Sequence, residues 1–280
     1  MSNLTSKAKN FASQKSGTED VEHNEVFLDL ETTGFGKDAE ILQMCYFIEG
    51  RTKGVYNEYY APENGFSFKA MGINRITPEM VEGKQTFGKG DSLAYDKLKQ
   101  LNTEENYIVI HNAKYDLGEL EKYGFTNKMQ VIDTIQVAYH ICNDAESHAL
   151  SSLFFQYGLY RQMGAEEKRL NQEFSLSLKR LGAHNALYDV VMLRLLYSFL
   201  AKKAGGIKEM VRLTNTPCFL DKPFYFGKYK GKKPSEVAKT DIGYLEWLLD
   251  NFDDLDFNVR YTLEQLVREQ KGKGKKRTDF

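Results

Sequence analysis

The stretch Val26-Phe27-Leu28-Asp29-Leu30-Glu31-Thr32-Thr33-Gly34 decides how the rest of the chain is interpreted. Its first half is a short apolar run typical of a buried strand, and its second half is a turn of small residues. Asp29 and Glu31 are two residues apart, so in an extended backbone both carboxylates point to the same side of the sheet. Two carboxylates at one place repel each other unless a cation joins them. Taken alone, the pattern is equally typical of a solvated strand end followed by a glycine turn.

Two further acids end phrases that resemble each other. The first phrase is His111-Asn112-Ala113-Lys114-Tyr115-Asp116, and the second is His184-Asn185-Ala186-Leu187-Tyr188-Asp189. Asp116 follows a strand of the buried type, and Asp189 lies near the beginning of a long helix. Open α/β sheets place their functional sites at the carboxyl ends of the strands. We therefore expect the four carboxylates and His184 to converge on one crevice.

The first two thirds of the chain show short apolar strands and then alternating strands and helices. We predict strands over 26–30, 41–48, 54–60, 107–110 and 131–132. Thr77-Pro78 indicates a helix start, because it places a hydroxyl at the N-cap and proline at the first helical position. Further helices are predicted over 93–101, 117–123, 134–141, 149–157 and 186–201. This order is typical of the α/β class with a mixed sheet.

Composition changes divide the chain into four parts. Residues 1–22 are polar and lack periodicity, which predicts a disordered N-terminal arm. Residues 23–205 form the main domain, which ends near Gly205-Gly206. Residues 215–270 are predicted to form a small C-terminal α+β module, with a strand over 224–229 and two helices that follow it. Residues 271–280 form a basic tail.

Composition and charge exclude several classes of protein. The chain of 280 residues is 41% hydrophobic and 28% charged, which is enough apolar material for a core. It contains no apolar run long enough to cross a membrane and no secretion signal pattern, so we expect a cytoplasmic protein without a membrane partner. Three widely spaced cysteines do not fit a structural zinc site. The net charge of −1 means that a polyanion must be bound by local patches or through a metal.

The three acidic motifs, in this order, resemble those of the DEDD-type 3′-to-5′ exonucleases with the histidine variant of the last motif, the proofreading-subunit-like group. The first motif runs from Asp29 to Gly34, the second ends at Asp116, and the third runs from His184 to Asp189. The phrase Ile73-Asn74-Arg75-Ile76-Thr77-Pro78-Glu79-Met80-Val81 is also similar to a segment of this family. The small module, with Phe226-Gly227-Lys228-Tyr229-Lys230-Gly231 and Tyr244-Leu245-Glu246-Trp247-Leu248, resembles that of exodeoxyribonuclease X-like proteins.

The resemblance covers most of the chain and implies a fold and a chemistry. The fold is ribonuclease H-like, with a mixed five-stranded sheet flanked by helices. The cofactors implied are two Mg²⁺ (or Mn²⁺) ions, which prefer oxygen ligands. Asp29 would bridge both ions, Glu31 and Asp189 would complete one site, and Asp116 would serve the other. His184 would be the general base, since an ordinary histidine pKa of about 6.5 suits that role.

The same resemblance implies contacts with the terminal nucleotide. Thr32, Thr33 and Asn112 would hold it, and Phe35 and Met80 would wedge or stack on its base. For Met80 the competing interpretation is core filling, which is the usual role of a methionine on a short helix. The segment 222–233 contains five lysines and no acid, and it is either a strand-tracking surface or a small strand that lysines keep soluble.

We therefore expect an exonuclease that shortens single-stranded or frayed 3′ ends of DNA and releases nucleoside 5′-monophosphates. One alternative keeps the chemistry and changes the polymer to RNA, as in an exoribonuclease that trims 3′ ends. Another is a nucleic-acid-binding or polymerase-associated module whose nuclease activity is incidental. Two departures from the family pattern are an insertion over 163–181 and Asn185, where many relatives have arginine. The sequence leaves protein partners and the pathway open.

Overall fold

The computed structural model describes residues 23–179 and 181–275. The predicted N-terminal arm and the end of the predicted basic tail, residues 276–280, lie outside the described residues. The strands are β1 (Asn24–Thr32), β2 (Ile41–Gly50), β3 (Gly54–Tyr59), β4 (Tyr107–Ile110) and β5 (Gln130–Asp133). The helices are α1 (Phe68–Asn74), α2 (Leu93–Leu101), α3 (Ala113–Glu121), α4 (Thr134–Ile141), α5 (Leu150–Gln156), α6 (Met163–Phe174), α7 (Ala186–Ala204), α8 (Ile207–Thr214), α9 (Pro234–Thr240), α10 (Ile242–Asn251) and α11 (Phe257–Lys275).

The five strands form one mixed sheet in the order β3-β2-β1-β4-β5. The first three strands are an antiparallel meander, and β4 and β5 run parallel to β1. The carboxyl ends of β1, β4 and β5 therefore lie at the same edge of the sheet. This is the edge at which α/β sheets place their sites.

Both faces of the sheet are covered by helices, which is why its central strands are apolar on both sides. Phe27 of β1 and Val109 of β4 point into a core formed with α4, α5, α7 and α8. Their neighbours Val26 and Ile108 point to the opposite face, which packs against α2 and α3. Alternating side chains of one strand thus supply two cores.

Most predicted elements of the main domain are confirmed, some with the same ends. The helices over 93–101 and 134–141 begin after Ser92 and Asp133, whose side chains accept hydrogen bonds from the backbone amides of Tyr95 and Ile135. The helix predicted over 117–123 begins four residues earlier, at Ala113. At Thr77-Pro78 the chain forms only a short 3₁₀ turn over Pro78–Met80.

The C-terminal module consists of helices α9, α10 and α11, and the strand predicted before them is not present in the described residues. The strand over 224–229 is wrong, because this segment is a loop with turns. It forms only two hairpin-like hydrogen bonds, from the Phe224 amide to the Lys232 carbonyl and from the Gly231 amide to the Phe224 carbonyl. Phe224 then packs into a small core with α9, α10 and α11.

The module is fastened to the main domain by buried amide groups. The side chains of Gln136 on α4 and Asn258 on α11 bond reciprocally, at 3.1 and 2.8 Å. Helix α8 lies between the predicted limits of the two domains, and its Met210 and Leu213 pack into the core of the main domain. Among the described residues, no helix has the length and apolarity that a membrane span requires.

The predicted insertion after residue 162 begins as helix α6 and is tied to the sheet by an ionic network. Arg194, a buried residue of α7, pairs with Glu166 of α6 at 2.7 Å and with Glu49 of β2. Its guanidinium also lies over the ring of Phe47, 5.3 Å from the centroid. The network therefore joins α6, α7 and β2 at one point.

Candidate active site

The first two acids lie at the carboxyl end of β1, where its pairing with β2 becomes irregular. Asp29 faces Cys45 and Glu31 faces Gln43 in the antiparallel ladder, and the register shifts between Glu31 and Thr32. A bulge of this kind bends the strand and re-aims the side chains beside it. Asp29 and Glu31 therefore share one side of the sheet, as their spacing predicts.

Asp189 reaches the same place from the first turn of α7. The residue before the N-cap, His184, has a left-handed backbone with φ of 67°, and its amide donates to Asp189 Oδ2 at 2.9 Å. The N-cap itself is Asn185, whose side chain accepts from the Leu187 amide at 3.2 Å. The strained turn thus holds His184 and Asp189 together, and the His184 side chain is exposed in the cleft above the acids.

Asp116 comes from the first turn of α3 and contacts the backbone of β1. Its Oδ1 accepts a hydrogen bond from the Leu30 amide at 3.1 Å. The start of α3 is fixed by Asp133, which accepts from the amides of Asn112 and Ala113 at 2.9 and 3.0 Å. Because Asn112 has φ of 74°, the chain turns sharply from β4 into the helix.

Three of the four predicted acids form a compact group. Ligand oxygens of Asp29, Glu31 and Asp189 all lie within 4.8 Å of one another. Asp116 stands beside this group, close enough for its charge to act on Asp29 and Glu31. Asp189 Oδ1 is buried and has no hydrogen-bond partner in the described structure.

Burial and mutual repulsion make this group costly without a cation. They raise the pKa of Glu31 to about 8, with Asp189 and Asp116 as the charges that act on it. Burial raises the pKa of Asp189 to about 7, although the His184 amide bonds to it. Burial also raises the pKa of Asp29 and Asp116 well above the ordinary aspartate value. An all-oxygen ligand set with an unpaired buried oxygen fits Mg²⁺ or Mn²⁺.

The turn after β1 is held by hydrogen bonds that the sequence did not predict. The Thr32 hydroxyl donates to the Gly34 carbonyl at 2.7 Å and lies 2.6 Å from the hydroxyl of Tyr115. Lys122 Nζ donates to the Gly36 carbonyl at 2.7 Å and pairs with Glu119. The turn therefore presents Phe35, which is 85% exposed and makes a T-shaped contact with the Tyr115 ring, with centroids 5.4 Å apart.

Some of the predicted substrate-binding residues line the cleft, and others lie outside it. Thr32, Phe35 and His184 line one cleft of about 460 Å³ together with Glu31. The Thr33 hydroxyl accepts from the Glu40 amide at 3.0 Å, so it stabilises the turn. Asn112 is exposed in an adjoining groove, and Met80 is 45% exposed, which does not fit complete burial as core filler.

His111 is bonded to residues other than the four acids. Its ring nitrogens bond to the Thr134 hydroxyl and to the His148 carbonyl, each at 2.9 Å. Burial lowers the pKa of His111 to about 4, so its ring is neutral near neutral pH. Thr134 is the first residue of α4 and His148 lies between α4 and α5, so these bonds tie both to the end of β4.

Sequence reasoning missed several residues that position the site. The side chain of Asn74 donates to the Thr32 carbonyl at 3.1 Å, and Gln43 accepts from the Ala186 amide at 3.2 Å. The hydroxyl of Tyr59 accepts from Asn185 at 3.1 Å. Asp133 was recognisable as an N-cap, because it follows a short strand and precedes a helical pattern. The other contacts join elements far apart in the sequence and leave no local pattern.

Comparison with known proteins places this geometry in a family. The sequence profile described as Exonuclease matches residues 26–197, which is more than half of the chain and includes all four acids. The chain belongs to this exonuclease family. The profile described as Exodeoxyribonuclease X-like C-terminal matches residues 224–253, so the resemblance to exodeoxyribonuclease X-like proteins is confirmed for both parts of this exonuclease. The expected ribonuclease H-like fold is confirmed with it.

The chain is also similar to individual exonucleases. The chain is 27% identical to Exodeoxyribonuclease 10 of Escherichia coli strain K12 over 241 residues, which cover 86% of this exonuclease and 97% of the relative. It is 34% identical over 100 residues to an uncharacterized exonuclease, CP81, of Escherichia phage 186, covering 34% of this chain and 46% of that protein. A solved structure of Exonuclease X in complex with 5′ overhanging duplex DNA has a TM-score of 0.45 and 19% identity, and the match covers 69% of this chain and 99% of that one.

Proposed function

We propose that this exonuclease removes nucleotides from the 3′ end of DNA, at single-stranded or frayed ends, and releases nucleoside 5′-monophosphates. The observation that carries the proposal is the group formed by Asp29, Glu31 and Asp189, in which the buried Asp189 Oδ1 lacks a partner. Buried charges persist in proteins when they are paired or hold a metal. A catalytic cation site accounts for all three acids at once.

In this proposal two divalent ions complete the site. Asp29 would bridge them, Glu31 and Asp189 would hold the first, and Asp116 would serve the second. When bound, the ions neutralise the charge of the scissile phosphate and support the leaving 3′-oxygen. Asp116 has one oxygen bonded to the Leu30 amide, which fixes its carboxylate beside β1. The raised pKa values of Glu31 and Asp189 support the proposal, because a bound cation stabilises carboxylates that burial otherwise keeps protonated.

His184 is proposed as the general base. Its side chain is exposed in the cleft that Glu31 and Thr32 also line, and its amide is bonded to Asp189. The imidazole would take a proton from water as the water oxygen attacks phosphorus and the bond from phosphorus to the 3′-oxygen breaks. The products are a nucleoside 5′-monophosphate and a strand that is one nucleotide shorter.

The remaining residues of the cleft would place the terminal nucleotide. The Thr32 side chain and the turn held by Tyr115 form one wall, and Phe35 stands at its rim. An exposed ring at this position can stack on the last base or separate it from its pairing partner. Asn112 would contact the strand from the adjoining groove, and Met80 remains a weaker proposal for base contact.

DNA is proposed as the polymer for two reasons. Exodeoxyribonuclease 10, which aligns over 97% of its length, is named as an exonuclease of DNA, and the C-terminal profile is described as Exodeoxyribonuclease X-like. The proposal is tested with 5′-labelled DNA and RNA strands of one sequence, with Mg²⁺ and with EDTA. We expect a ladder that shortens from the 3′ end of DNA, requires Mg²⁺ and is lost in Asp29→Asn. A ladder on RNA alone would mean that the substrate is RNA and not DNA. The absence of a metal-dependent ladder on both strands would overturn the proposal.

A further inference from the structure

A second groove lies between the main domain and the C-terminal module. It has a volume of about 600 Å³ and is lined by residues of α4, of the loop before α9 and of the start of α11. Its aromatic members include Tyr139, Tyr225 and Phe257. The Tyr225 side chain is 79% exposed, and Phe257 is 42% exposed. Rings left open to solvent in a groove are characteristic of surfaces that stack bases.

Shared lining residues connect this groove to the candidate active site. The cleft above the acids shares Phe35 and Tyr115 with an intermediate groove of about 450 Å³. That intermediate groove shares Asn112 and Lys114 with the groove beneath the module. A path lined by protein therefore leads from the acids, past Phe35, to Tyr225.

The charges along this path favour a polyanion. Lys37, Lys114 and Lys222 lie on it with exposed side chains. Lys222 Nζ is 4.3 Å from the centroid of the Tyr139 ring and donates to its hydroxyl at 2.9 Å, so a cation and a ring are presented together.

The acids along the path are engaged in local contacts. Glu119 is paired with Lys122. Asp133 and Asp256 accept hydrogen bonds from backbone amides at the starts of α3, α4 and α11. Their charges are thus directed at helix N-termini, and the three exposed lysines give the path its positive character.

We propose that this path binds the single strand that is being shortened, on the 5′ side of the nucleotide at the acids. The occupant is a single strand, because stacking on Tyr225 and Phe257 requires unpaired bases. It is the substrate strand, because the path begins in the cleft where the end of that strand would lie. This inference rests on the proposed function. It assigns to the C-terminal module the task of holding the substrate while successive nucleotides are removed.

The test is the binding of DNA strands of increasing length, from about three to about 20 nucleotides, followed by fluorescence anisotropy. All proteins carry Asp29→Asn and are kept in EDTA, so that no strand is cut. The test variant is Lys222→Ala with Tyr225→Ala. Controls are Tyr225→Phe, which keeps a ring, and Lys128→Ala, which removes an exposed lysine just before β5, at the opposite end of the sheet. Thermal unfolding verifies that all variants remain folded.

We expect the test variant to bind long strands about tenfold more weakly and trinucleotides as well as the parent does. The slope of log affinity against log salt should fall by about 0.7 for the lost Lys222 contact. Both controls should behave like the parent. Equal losses at all lengths, or no loss with long strands, would refute the inference. The same variants are also tested with duplexes that have an overhanging complementary strand, and a loss confined to these duplexes would assign the groove to the other strand and refute the inference.

A failure of the proposed function would give a different experimental result. If the protein without Asp29→Asn shortened no strand in Mg²⁺ while long strands still depended on Lys222 and Tyr225, the groove would be a binding site and the exonuclease proposal would be wrong. If cleavage occurred and kcat/KM on long strands did not respond to the test variant, the groove would be excluded from substrate binding.

Discussion

Replacing Asp29 with asparagine should stabilise the metal-free protein while it abolishes cleavage. Burial and the charges of Asp189, Asp116 and Glu31 raise the pKa of Asp29 well above its ordinary value of 3.8. The folded state therefore keeps a proton that the unfolded state has released. Asparagine has nearly the same shape, carries no charge and needs no proton. The substitution consequently removes a cost from the folded state and removes the proposed bridging ligand.

The magnitude follows from proton linkage. For each pH unit above 3.8 over which Asp29 keeps its proton, folding loses about 1.36 kcal/mol relative to an uncharged residue. The upper limit for the change between pH 5 and pH 8 is thus about 4 kcal/mol. Water entering the crevice reduces this value, and we expect about 1–3 kcal/mol. The sign is fixed, because stability that is present below the unfolded pKa is lost as pH rises towards the raised folded pKa.

The assay is thermal unfolding in EDTA at pH 5 and pH 8. A change of 1 kcal/mol moves Tm by about 2–4 °C in a chain of this size class, so the advantage of Asp29→Asn should widen by about 5 °C between the two pH values. Asp91→Asn, at an exposed position, is the matched control and should follow the wild type at both pH values. Saturating Mg²⁺ should then raise the Tm of the wild type by several degrees and that of Asp29→Asn much less.

Two results would refute this reasoning. If Asp29→Asn were no more stable than the wild type at pH 8 in EDTA, burial and the neighbouring acids would not raise the pKa of Asp29 in the folded protein. If Mg²⁺ stabilised both proteins equally, Asp29 would not be a ligand, and the group formed with Glu31 and Asp189 would need another explanation.

Three further predictions concern single side chains. His184→Ala should slow turnover about 100-fold or more and leave the Mg²⁺-induced rise in Tm unchanged, and wild-type turnover would remove His184 from the mechanism. Arg194→Ala should lower the free energy of unfolding by about 1–3 kcal/mol in urea titrations, because it removes the buried guanidinium that pairs with Glu166, which keeps only Arg169 as a partner, whereas Arg212→Ala at an exposed ion pair should change little. Phe35→Ala should reduce cleavage of frayed duplex ends about tenfold more than cleavage of single strands, measured as kcat/KM; equal losses on both substrates would exclude a wedge.

The sheet could be predicted because each of its strands has a recognisable local sequence pattern. β1 and β4 are short apolar runs with turn residues at their ends, and α4 begins at an aspartate that caps it. The same patterns predicted where the acids lie: Asp29 and Glu31 at the end of β1, Asp116 after β4, and Asp189 near the start of α7. Their convergence was an inference from the parallel arrangement, and three of them do converge.

The errors lie where distant contacts override local preference. The aromatic run over 224–229 has high β-propensity, but no strand among the described residues pairs with it, and Phe224, Phe226 and Tyr229 instead pack into the core of the module. The domain end predicted near Gly205-Gly206 stays a prediction: Gly205 caps α7, and α8, which starts two residues later, packs Met210 and Leu213 into the core of the main domain. A glycine pair indicates that a helix ends, and it does not tell whether the next element joins the same core.

The finer geometry of the site depends on contacts that no short motif contains. The left-handed conformation of His184 is stabilised by the bond from its amide to Asp189, and the N-terminus of α7 is held against the sheet by Gln43. These contacts bring a costly group of acids to one point and keep them there. A protein that used these acids only as structure would gain stability by replacing them. The simplest explanation for this group of acids, in which one oxygen of Asp189 is unpaired, is therefore that the acids bind a cation.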